Sequence, residues 1–197
     1  MTITPSRPRL YLAVFLAWFL AALGLGASGR LTALRPPAPQ AILAGLTLLL
    51  LLAGSVLPGF RVWLAGINLR QIVALHLLRF VGIYFLVLYA RGALPFAFAV
   101  PGGCGDILIA TGALVLVLFV PDLHRQRPWL VTWNLLGLVD LLYVVGTAAR
   151  MAMIDPFSMQ PLLRLPLSLL PTFLVPLLIT SHVYLFTRLR QQPVSAG

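Results

Sequence analysis

Apolar residues run along the chain in six long stretches, parted by short segments in which Arg, Pro and Gly collect. A helix needs about 20 mostly apolar residues to cross the hydrocarbon core of a bilayer. On that measure the pattern predicts spans at residues 10–29, 41–57, 71–90, 104–120, 130–149 and 165–187. The expected fold is an all-α polytopic transmembrane bundle making up one membrane domain.

The punctuation refines each span. The first follows Arg7 and Arg9 and resembles a signal peptide, with Ala27-Ser28-Gly29 as a run of small residues near a cleavage point. Its apolar core is long and the remaining stretches are themselves suited to a membrane, which favours a retained span. The second follows the breaker Arg35-Pro36-Pro37-Ala38-Pro39, and the third lies between Arg70 and Arg91. Before the fourth, Pro95, Pro101, Gly102, Gly103 and Gly105 predict a broken or re-entrant segment. The sixth carries Pro166, Pro171 and Pro176. Each interior proline removes a backbone hydrogen bond, so this helix is expected to be kinked, with Ser168 and Thr172 placed to satisfy freed groups.

Composition supports the same class. Of the 197 residues 60% are hydrophobic and 9% charged, whereas a soluble domain carries about a quarter charged residues. The net charge of +10 comes entirely from Arg set against four Asp. These arginines stand singly at the ends of apolar stretches and form no basic stripe with interleaved aromatics, which argues against nucleic acid. Counted by connection, Arg7, Arg9, Arg61, Arg70, Arg125, Arg127, Arg188 and Arg190 oppose Arg30, Arg35, Arg91, Arg150 and Arg164. The excess on the first side predicts a cytoplasmic-membrane protein with both termini in the cytoplasm, and Trp63 and Trp129 fit an interfacial belt. The lone Cys104 excludes an internal disulfide and a cysteine cage for metal.

Candidate chemistry rests on the polar residues inside the spans: His76, Arg79, Asp106, Asn134, Asp140 and His182. His76 lies six residues inside Arg70, and His182 six before Arg188, so at about 1.5 Å per residue both rings sit roughly 9 Å below the inner surface. Asn134 reaches a similar level. Arg79 and Asp140 reach a deeper one and predict an ion pair, because either charge alone in hydrocarbon costs about 2.5–3.5 kcal/mol. Its ordinary reading is a bridge that fixes helix packing. The histidines are ordinarily hydrogen-bonded core residues; their sharper reading is bis-imidazole ligation of haem b, with propionates toward Arg70, Arg188 or Arg190. Zinc is weaker, for want of four ligands.

A third reading joins Asp106, Asp140, Arg79, His76 and His182 into a path for protons or a small solute. Asp106 itself is expected at the outer-face start of the fourth helix, as a cap or first-turn residue. The pairs Ala22 with Gly26 and Gly24 with Ser28 predict close packing within the chain or between copies. His124, beside Arg125 and Arg127, is expected at the headgroups, where those arginines contact anionic lipid. No nucleophile–base or paired-carboxylate spacing occurs, so hydrolytic and phosphoryl-transfer catalysis are disfavoured. Three functions follow: proton or small-solute passage, haem-based electron transfer, or a structural, partner-binding membrane subunit.

Overall fold

A computed structural model describes residues 8–123 and 125–191; Arg7 and His124 lie outside them. Among the described residues the structure is helical with no strand. Six helices are long and apolar enough to span a membrane: Pro8–Ala27, Ala38–Val56, Leu69–Ala90, Phe96–Phe119, Arg127–Ile154 and Leu170–Arg190. They are called the first to sixth helices. A short helix, Pro58–Ala65, follows the second, and 3-10 turns occupy Arg30–Ala33 and Gln160–Leu163. Large apolar side chains lie exposed along the long helices, among them Leu49, Leu108, Leu118 and Val139.

The fourth helix corrects the sequence reading. It begins at Phe96, directly after Pro95, and runs unbroken through Pro101 and the glycines to Phe119. Pro101 stands in the second turn, where it withholds one N–H from the Ala97 carbonyl without ending the helix. The glycines are a packing surface: a Cβ on Gly102 would press on Val144, one on Gly103 would meet the carbonyl oxygen of Gly82 at 2.8 Å, and one on Gly105 would strike the Asp140 carboxyl.

The third and sixth helices are irregular. Asn68 opens the third with a capping box: its side chain accepts from the Arg70 amide and the Gln71 side chain accepts from the Asn68 amide. From His76 to Val81 the winding tightens to 3-10. The sixth starts later than expected, leaving Pro166 in a preceding turn, and its irregularity is a π-helical turn at Leu170–Leu174 around Pro171.

The chain divides into two compact units, with boundaries just before the third helix and inside the fifth and sixth. Met1–Ile67 with Ala149–Leu177 is held by aromatic rings. Tyr11, Phe15, Phe60 and Trp63 cluster, and Trp18 meets Phe173 edge-on at 4.6 Å. Pro176 has no N–H to offer the carbonyl of Thr172, and the Trp18 indole N–H donates there instead at 2.9 Å. The Thr172 hydroxyl donates to the Ser168 carbonyl. Of the small-residue pairs, Ala22 and Gly26 are buried, while Gly24 faces open space. The second unit, Asn68–Ala148 with Leu178–Gly197, contains every buried charge among the described residues.

Candidate functional site

The site is built by a face of each helix in the second unit. Along the third helix His76, Arg79, Gly82 and Phe85 are buried at three-residue intervals. That interval suits 3-10 winding, in which residues i and i+3 eclipse one another. The tight segment therefore stacks His76 directly beside Arg79. On the fourth helix the buried residues include Ala99, Gly103, Asp106, Ala110 and Ala113, in steps of four and three, and the small ones among them let backbones approach. The approach is closest at Gly82, where a Cβ would come within 2.6 Å of the Gly103 carbonyl oxygen.

Each of the three guanidinium nitrogens of Arg79 has a partner. Its Nε donates to Asp106 Oδ1 at 2.6 Å, its Nη1 to the Gly137 carbonyl at 2.8 Å, and its Nη2 to Asp140 Oδ2. The side chains of Arg79 and Asp106 are buried and that of Asp140 is 19% exposed, so Asp140 is the carboxylate with access to its surroundings. The Arg79–Asp140 contact is the one the depths of the two residues suggested. Asp106 lies elsewhere than expected: the earlier helix start puts it in mid-helix against Arg79 and not at an outer cap.

His76 and His182 form an adjoining layer. Both are completely buried, with ring centroids 4.2 Å apart and the Trp133 ring 5.1 Å from His76. Asn134 holds His182 at two points, donating to its carbonyl at 3.0 Å and contacting Nδ1 through Oδ1 at 2.7 Å. Ser181 Oγ stands 3.1 Å from His76 Nε2. Gly137 joins the layers: its carbonyl takes Arg79, and a Cβ there would lie 2.6 Å from His182 Cε1.

The histidines do not fit a haem. Axial imidazoles stand on opposite faces of the macrocycle, so iron and porphyrin must separate them. Rings already in contact leave no such slot, and Arg70, expected near a propionate, donates to the carbonyls of Val117, Val120 and Pro121 at the end of the fourth helix. No group of three His, Cys, Asp or Glu suited to a metal ion occurs among the described residues.

Gly137, Ser181 and Trp133 are site residues that sequence reasoning passed over, and Gly105 is one it read only as part of a break. The stripe Ala99, Gly103, Asp106, Ala110, Ala113 was available as a signal, since its spacing marks one helix face.

Fold and site together define an all-helical protein with six helices apt for a membrane and an ionic cluster enclosed among three of them. The chain belongs to the family described as "Domain of unknown function (DUF8737)", which matches residues 36–190 and so takes in the second to sixth helices. No curated protein and no solved structure matches the chain.

Proposed function

We propose that this is a multi-pass protein of the cytoplasmic membrane, with both termini in the cytoplasm, that passes protons through the Arg79 cluster. The observation that carries the reading is one guanidinium held between two carboxyl groups in a buried place. A lone negative charge is costly to bury. The cluster therefore favours taking up one proton, or a small cationic solute in its stead, to balance the second carboxylate. Partial exposure of Asp140 gives that proton an entrance.

Six apolar helices with exposed Leu and Val along them support insertion, and the arginine distribution supports the orientation. Proton flux into liposomes containing the purified protein is the test. Asp140→Asn is expected to lower the flux strongly; a wild-type protein that moves neither protons nor small cations sinks the reading. Reporter fusions at the two ends check the orientation.

A second reading draws on the partners that all three guanidinium nitrogens of Arg79 have. A cluster that ties the third, fourth and fifth helices together also suits a structural membrane subunit, and co-purification of a partner alongside absent flux would favour it.

A further inference from the structure

Hydrogen-bond chemistry fixes where the hydrogens of the histidine pair must lie. Asn134 Nδ2 donates to the His182 carbonyl, which turns Oδ1 toward the ring. An amide oxygen can only accept, so His182 Nδ1 carries the hydrogen and Nε2 a bare lone pair. The Ser181 hydroxyl donates to the Leu178 carbonyl at 2.8 Å, and its oxygen is left to accept. His76 Nε2 therefore carries its ring's hydrogen, and Nδ1 is bare. Neither bare nitrogen has a hydrogen-bond partner among the described residues, and both rings are wholly buried. Two basic lone pairs thus stand in one closed ring pair, beside a cluster with a negative charge to balance.

We propose that His76 and His182 together bind a single proton, at His76 Nδ1 or His182 Nε2, and so form a second station for the proton of the Arg79 cluster. This rests on the proton-passage reading above. Both rings adjoin the cluster: His76 stands one 3-10 turn from Arg79, and the Cε1–Nε2 edge of His182 lies against Gly137, whose carbonyl holds Arg79. In the transfer the O–H bond of a protonated Asp106 or Asp140 breaks and its electron pair stays on the carboxylate. An N–H bond forms on the imidazole, and the total charge is unchanged. The pair takes one proton and not two. A second imidazolium 4.2 Å from the first would repel it, and the charge beside the pair is that of Arg79 on the third helix, itself bound to Asp106 on the fourth and Asp140 on the fifth.

Nitrogen NMR of the full chain in nanodiscs, labelled with 15N-histidine, reads this directly, since bare and protonated ring nitrogens resonate far apart. A His124→Gln background leaves only the pair. At high pH each ring is expected to show one bare and one protonated nitrogen. As pH falls, bare-nitrogen intensity should drop by half, one proton per pair, and go no further while the protein stays folded. Asp140→Asn should move that uptake to lower pH by removing a negative charge. Separate protonation of both rings, no uptake before unfolding, or an uptake pH indifferent to Asp140→Asn each overturns the proposal. One-proton uptake in a protein without flux keeps the station and removes the passage; flux without uptake does the reverse.

Discussion

In Met1–Ile67 with Ala149–Leu177 the helices meet through rings and small residues, while in Asn68–Ala148 with Leu178–Gly197 they meet through an ion cluster and touching backbones. The difference matters for helices in lipid, where burying an apolar side chain against protein gains little over leaving it in hydrocarbon. Aromatic contacts tolerate adjustment because their partners are side chains that can turn. The ion cluster and the Gly82–Gly103 crossing cannot adjust without moving backbone or exposing a charge. The second unit should thus be brittle and the first forgiving, which single substitutions can test.

The largest effect is expected from Arg79→Met, which leaves Asp106 and Asp140 facing each other without a counter-charge. Removing one partner of a buried ion pair costs about 3–5 kcal/mol, read as a lower midpoint for unfolding in mixed micelles. A change under 1 kcal/mol by the same measurement would mean the cluster is not closed in solution. Next comes Gly82→Ala, whose Cβ meets a backbone oxygen; overpacking of this kind costs about 1–3 kcal/mol. Gly26→Ala meets only the Ser168 and Leu165 side chains, so thermal unfolding should show a smaller loss there than at Gly82, and the reverse order would break the contrast. Trp18→Phe keeps an aromatic ring against Phe173 but deletes the donor to Thr172 and part of the packing surface, a loss of at least about 1 kcal/mol. Gly24→Ala meets nothing within 4 Å and should leave stability unchanged or raise it by up to about 1 kcal/mol, since Ala is the better helix former.

Much of this was legible in the chain. Six apolar runs foretold six long helices, and counting residues inward from Arg70 and Trp129 brought Arg79 and Asp140 to one level. What misled was local punctuation. Pro101 and three glycines in five residues read as a break because each weakens an isolated helix, yet in contact with Gly82, Val144 and Asp140 the absent side chains are what the packing requires. Asp106 was displaced with them. The 3-10 segment was hidden for another reason: Leu, Arg, Phe and Val are ordinary helix residues, and the three-residue interval of His76, Arg79, Gly82 and Phe85 runs on into regular α-helix at Gly82 and so does not mark the tighter winding. Haem failed on a distance that matching depth does not constrain, the gap between the rings.

Trp18, finally, acts as a stand-in for a missing peptide group. The sixth helix lacks a donor at residue 176, which is proline, and a side chain from the first helix, some 150 positions earlier, reaches the Thr172 carbonyl instead. The two positions are therefore mutually conditional: Pro176→Ala would restore the amide and make the indole redundant, so the damage done by Trp18→Phe should shrink in that background. A substitution tolerated in one lineage of such chains would then be harmful in another, depending only on what stands at the other site.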